Sequence, residues 1–205
     1  MESVLTKPEK LLKKKVPSYL IKEEFDGVPL YYKGYKEVLS GKKTLEEIMG
    51  CSGIQSLIVT YLTGLLWVKL NKKLYRVLTG EVGNRIEKKK SSLDVAIFEK
   101  SVQTPGHINR RYTNVPPKIV LEVDVRVENE EMSNDGIILF RTGKLLEMGV
   151  EKIIWIFTLY KKIMVAEKGK DWVTFDWDRD VEILDGITFN IPQYLEEEGI
   201  TLEKI

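Results

Sequence analysis

"SSLDVAIFEK", residues 91–100, and "PPKIVLEVDVR", residues 116–126, decide how this 205-residue chain folds. Each is a run of Leu, Val, Ile or Ala that reads as a buried β-strand, and each holds a carboxylate in its middle, Asp94 and Glu122. A charge inside such a run is costly unless it is paired, hydrated or bound to a cation. In residues 119–127 the odd positions Ile119, Leu121, Val123, Val125 and Val127 are all apolar, while Glu122, Asp124 and Arg126 fall on even ones. That alternation predicts a strand with one face on the core and the other on water or a cleft. In residues 93–97 Leu93, Val95 and Ile97 repeat the pattern, with Asp94 on the opposite face. If the two strands are neighbours, Asp94, Glu122 and Asp124 converge on one side and repel unless protons or a divalent cation neutralise them. Carboxylates merely solvated on a polar strand face give the same pattern, and alternation alone leaves both readings open.

The flanks supply the rest of the architecture. A helix over 134–148 has Ser133 or Asn134 as its cap and Gly149 as its stop. "KIIWIFT" is apolar on both faces and predicts a central strand, paired with "KIMVAEKG" through a turn at 161–162. Upstream, "KKLYRVLTGEV" is a strand candidate and 44–49 a short helix capped by Thr44. "CSGIQSLIVTYLTGLLWV", residues 51–68, has no charge, yet Ser52, Gln55, Ser56, Thr60, Thr63 and Gly64 interrupt it. Its Ile54, Leu57, Ile58, Tyr61, Leu62, Leu65 and Val68 recur at helical spacing, so it predicts a core helix buried on most sides rather than a membrane span. Residues 99–117 lack periodicity and predict a long mobile loop, and the segment after Lys170 gives short β pieces and turns. The order of helix, strands, helix, strands is that of a mixed α/β sheet flanked by helices. We expect an N-terminal arm over 1–18 and one domain over 19–205, which at 43% apolar residues can bury one core.

Composition excludes several functions. A net charge of +1 gives no global basic field, so polyanion binding has to come from local clusters. One cysteine, Cys51, and one histidine, His107, exclude an internal disulfide framework and zinc sites rich in Cys or His. A metal would have to be a hard cation, Mg²⁺ or Mn²⁺. The charged N-terminus without an apolar core predicts no secretory leader, and with one cysteine suits a reducing cytoplasm. Neither a glycine-rich phosphate loop nor a nucleophile elbow occurs. Of the basic clusters, Lys88, Lys89 and Lys90 precede the Asp94 strand, and Arg110 and Arg111 follow it; these are the candidates for contact with a nucleic-acid phosphate backbone.

Asp94 followed downstream by Glu122, Val123 and Asp124 resembles the PD-(D/E)XK nuclease superfamily. The helix ending in "KLLEMGV", the following "EKIIWIFT" and the earlier "YKEVLSGKK", residues 35–43, resemble the Uma family of small bacterial endonuclease-like proteins. The likeness spans roughly residues 35–167 in four short blocks. It implies a restriction-endonuclease-like fold and a Mg²⁺- or Mn²⁺-dependent site acting on DNA. Asp94 and Glu122 would hold the metal with the carbonyl of Val123, and Glu37 would be a third carboxylate or a group behind the ligands.

The chain also departs from that pattern. Asp124 stands where the superfamily commonly has lysine, and Leu93 where it has proline. Helix and strand rises of ~1.5 and ~3.3 Å per residue bring Lys144 level with Glu122 as a substitute, with Arg141 one turn earlier as the next candidate. A second reading keeps the fold as a catalytically inactive nucleic-acid-binding or assembly module, and the 51–68 helix offers a face for a homodimer.

Overall fold

The computed structural model describes residues 16–201. The arm expected over 1–18 therefore lies, except for its last three residues, outside the described residues. After a single 3-10 turn at Ser18–Leu20, β1 (Ile21–Phe25) and β2 (Val28–Tyr32) form a hairpin. Its two turn residues, Asp26 and Gly27, have φ of 52° and 84°. Two positive φ angles define a type I′ turn, for which Asp-Gly is a preferred pair. Two short helices follow, α1 (Tyr35–Leu39) and α2 (Leu45–Met49), the second with a full capping box between Thr44 and Glu47. Next come α3 (Gly53–Lys69) and the long hairpin of β3 (Tyr75–Ile86) and β4 (Lys89–Glu99).

β5 (Ile119–Val123), β6 (Val127–Glu128), α4 (Asn134–Glu147) and β7 (Lys152–Phe157) make up the middle of the chain. Ser133 caps α4 by accepting from Gly136 N, and Gly149, at φ 105°, ends it. β8 (Lys162–Glu167) and β9 (Val173–Asp176) extend the sheet, and β10 (Val181–Leu184), β11 (Ile187–Phe189) and α5 (Ile191–Glu197) close the chain. The sheet runs β6-β2-β1-β4-β5-β7-β8-β9, with β3 on the other edge of β4. β5 and β7 are parallel, Glu122 opposite Trp155, and the remaining strand pairs are antiparallel.

Two cores cover the two faces. α3, α5 and the β10–β11 hairpin pack on Val95, Ile97, Ile119, Leu121 and Val123. α4 packs on Ala96, Val120, Ile153 and Trp155. Every residue of β5 is consequently buried, so of the two expectations for its even face, water or a cleft, water is excluded, and Glu122 borders a small cleft with Asp94. Alternation cannot tell water from a second layer when the even residues include charges held in internal pairs. The 51–68 helix is likewise corrected. Gln55, Ile58, Leu62 and Leu66 form one buried stripe, whereas Trp67 and Val68 are 61% and 79% exposed. No helix among the described residues is long and apolar enough to cross a membrane. The loop expected to be mobile over 99–117 is tied to the β3–β4 hairpin. Thr113 N donates to Gly83 O, Arg85 N to Thr113 O, and Asn84 Nδ2 to Val115 O, while the buried Gln103 accepts from Arg76.

Candidate active site

The site grows from an interruption in the sheet. β1 and β5 run one after the other along the same edge of β4: β1 pairs with Lys89 and Lys90, β5 with Val95, Ala96 and Ile97. Residues 91–94 have no strand partner on that edge, and side chains do the pairing instead. Ser92 N donates to Glu23 Oε1 at 2.9 Å, and Val123 N donates to Asp94 Oδ2 at 2.8 Å. An unpaired buried N–H costs about 1–3 kcal/mol, so both acids hold the backbone together besides anything else they do. Gln55 of α3 adds a bond to the same Asp94 oxygen at 3.3 Å. Leu93 belongs to the α4-side core and Val95 to the α3-side core, so the strict alternation of β4 slips at Asp94, opposite the bulge at 79–82 of β3.

Glu122 points to the α4 side, where Arg141 meets it. Arg141 Nη2 donates to Glu122 Oε2 at 3.0 Å and to Glu23 Oε1 at 2.8 Å, and Nε lies 2.7 Å from Glu23 Oε2. The guanidinium stacks over Trp155, 4.8 Å from its centroid. All three charged groups are buried, and Glu122 Oε1 has no hydrogen-bond partner among the described residues. Burial pushes the Glu122 carboxyl up to about 8, against the pull of Arg141 and with the push of Asp94 and Glu23. Burial also raises Asp94, with the Val123 N–H opposing it. Groups so displaced favour a proton or a cation beside them. Asp94, Glu122, Asp124, Lys22, Arg126 and Arg141 together wall a cleft of about 10 Å³, the room of roughly one water molecule.

The structure brings Asp94, Glu122 and Asp124 to one cleft, while Lys144 and Glu37 do not line it. Asp124 borders the cleft, yet β5 ends at Val123, and Asp124, at φ 59°, turns its carboxylate onto Thr158. It accepts from Thr158 N at 2.8 Å and from Thr158 Oγ1 at 2.7 Å, so of the three acids on the cleft Asp124 is the one already committed, while Glu23 is linked to Glu122 through Arg141. The placement of Lys144 is corrected. Its Nζ binds Glu147 at 2.9 Å and Asp26 at 3.0 Å on the outer flank. The buried side chains of α4 are Ile137, Arg141, Thr142 and Leu145, and Lys144, two turns after Ile137, lies at the margin of that stripe, where its ammonium turns out to Asp26 and Glu147. The length argument landed nearly one turn past Arg141, the α4 residue that meets Glu122.

Glu37 is half-buried, paired with Lys43 at 3.2 Å, and does not line the cleft. Of the basic candidates, Lys89 pairs with Asp26 at 3.3 Å, Lys88 lies at the hairpin turn, and Lys90 sits 5.5 Å over the Tyr112 ring. Arg110 and Arg111 are exposed on the loop. Glu23 and Lys22 were not anticipated, although "YLIKEEF" carries the same signal as the two acidic strands, charge within an apolar run.

Among the described residues no three Asp, Glu, His or Cys side chains come together as a metal site. Mg²⁺, however, is commonly held by one or two carboxylates with waters and substrate phosphates completing the shell. Two all-oxygen acids on one cleft, one with an orphaned oxygen, fit that requirement.

No protein-family profile matches the chain, and no curated protein does. Among solved structures it is similar to a crystal structure from Anabaena variabilis ATCC 29413, described as "a putative nuclease belonging to DUF820". The TM-score is 0.62 at 14% identity, over 89% of this chain and 94% of that one. Likeness at that identity establishes the fold: a single α/β domain of restriction-endonuclease-like architecture, its mixed sheet flanked by helices.

Proposed function

We propose that the chain is a Mg²⁺-dependent endonuclease of the PD-(D/E)XK type, related to the Uma family, that hydrolyses DNA phosphodiester bonds. The observation that carries this reading is the meeting of Asp94 and Glu122 at the gap in the sheet, on a fold shared with a protein described as a nuclease. Asp94 Oδ1, Glu122 Oε1 and the Val123 carbonyl are the atoms that would hold the ion. Bound Mg²⁺ supplies a more acidic water and stabilises charge growing on the phosphate. Arg141 fixes the Glu122 rotamer and offsets part of the acid charge, and Glu23 fixes Arg141. Gln55 and the Val123 N–H orient Asp94. Overall, water oxygen bonds to phosphorus as one P–O ester bond breaks; one water proton leaves to solvent and the departing oxygen takes one up.

A second reading, an inactive nucleic-acid-binding module, draws support from the same bonds. Arg141 already neutralises Glu122, and Asp94 already serves the ladder. Nicking of supercoiled plasmid in Mg²⁺ and in Mn²⁺ separates the two. The nuclease reading expects nicking by the wild type, abolished by EDTA and by Asp94→Asn. Wild-type protein that melts higher with metal yet nicks nothing supports the inactive module.

A further inference from the structure

We propose that Lys22 grips the substrate phosphate, the task left open by Asp124 in the usual lysine position. The assignment rests on the nuclease reading of the same cleft. Three cations border that cleft, and two are committed. Arg141 is forked between Glu23 and Glu122, and Arg126 donates to Gln55 Oε1 at 3.1 Å and to the Gly50 carbonyl. Among the described residues Lys22 has one carboxylate partner, Glu81 Oε1 at 3.0 Å, and that partner is 49% exposed. The rest of the Lys22 side chain is fixed: it is 8% exposed, with Nζ 5.8 Å from the centre of the Tyr32 ring. A buried stem with a replaceable partner is the arrangement that leaves an ammonium aimed and available.

Lys22 is also a wall shared by two spaces. On one side is the cleft with Asp94 and Glu122. On the other is a cavity of about 240 Å³ whose lining includes Lys22, Lys90, Ser91, Ser92, Tyr32 and Tyr112, with Glu81 as its one acid. Two lysines, two serines and two tyrosines suit a phosphodiester and its flanking sugar or base. The buried Ser91 hydroxyl has no hydrogen-bond partner among the described residues. Glu81 borders both Lys22 and Ser92: one oxygen accepts from Lys22 Nζ, the other from Ser92 Oγ. It is presented by a bulge residue at φ 61°. A carboxylate that bridges an ammonium and a hydroxyl occupies the seat that two phosphate oxygens would take. Glu81 is thus a tethered stand-in that substrate displaces, which frees Lys22 for the phosphate beside the acids.

Thermal melting in EDTA with inorganic phosphate tests the seat without any metal or catalysis. Phosphate raises the melting temperature of Glu81→Gln at lower concentration than that of wild type, because the competing anion is gone. Lys22→Met weakens the phosphate response by about tenfold or more, the size expected for one charge-assisted bond. Lys22→Gln, which keeps a polar end, repeats that loss if Lys22→Met folds poorly, and Lys144→Met leaves the response intact. A response in Glu81→Gln alone still supports the seat. Equal phosphate responses in wild type and both Lys22 variants overturn the proposal, as does no response in either wild type or Glu81→Gln. In a parallel nicking assay with Mg²⁺, Lys22→Met lowers the cleavage rate at saturating DNA. If the phosphate arm behaves as expected and wild type nicks nothing, the nuclease reading fails while Lys22 stands as a phosphate-binding group.

Discussion

Arg141 carries more of the site than either acid it binds, because it alone separates two buried carboxylates. Its removal leaves Glu23 and Glu122 buried without a counter-charge, a defect that typically costs 3–5 kcal/mol, here about that amount. Arg141→Met should lose stability on that scale in urea unfolding, and Arg141→Lys should fall between, since a point charge cannot fork to both acids. A loss below about 1 kcal/mol would show that the acids take up protons or relax into water once Arg141 is gone. Asp94 gives a sharper contrast. Asparagine keeps an oxygen for the Val123 N–H, and alanine does not. Asp94→Ala should therefore cost about 1–3 kcal/mol more than Asp94→Asn in the same titration. Equal losses would remove the ladder role argued for Asp94. At this scale the sequence announced Asp94 and Glu122 because each breaks an apolar run. It hid Arg141's role, because a helix lysine and a helix arginine one turn apart look alike until the inward stripe is known.

Among the elements, α3 and α4 were legible from their caps and stops: Ser133 and Gly149 bound α4 as expected. How much of α3 is covered was not, because its uncharged sequence lacks the polar face that would mark an exposed side. The buried stripe through Leu62 and the open position at Val68 now predict opposite outcomes for the same change. Leu62→Asp buries an unpaired charge at a cost of several kcal/mol, a large share of a typical fold's stability, and should yield no soluble, cooperatively melting protein. Val68→Asp, on the exposed side, should stay within about 0.5 kcal/mol of wild type. Similar solubility and melting for both would overturn the assigned stripe. The β1–β2 hairpin shows the opposite kind of legibility. Its Asp-Gly pair stood in the sequence, but the charged run "IKEEF" obscured the strand before it. Gly27 has open space around its missing side chain, so Gly27→Ala should cost only the strain of φ 84°, about 1–2 kcal/mol by thermal melting.

For the whole molecule, the class of sheet followed from the order of its parts, but the gap in it did not. Residues 21–25 and 119–123 are about a hundred positions apart, and no local pattern reveals that they share one edge of β4. That shared edge is what gives the acids two tasks, closing the ladder and facing a cleft, and the two tasks respond differently to a cation. If the acids only close the ladder, Mg²⁺ or Mn²⁺ adds nothing beyond general ionic screening, and Na⁺ at matched ionic strength melts the protein alike. If they also hold a cation, the folded state is stabilised by RT ln(1 + [L]/Kd), roughly 2.7 kcal/mol at a hundredfold excess over Kd. For a chain of this length that is a rise of about 5–10 °C in melting temperature. Asp94→Asn should abolish the rise while keeping the bond from Val123, so its metal-free melting should stay near that of wild type. Glu122→Gln should abolish it too, with Arg141 still bonded through the amide oxygen. A rise that survives both variants places the cation elsewhere on the surface, and the two acids then belong to the architecture of the sheet alone.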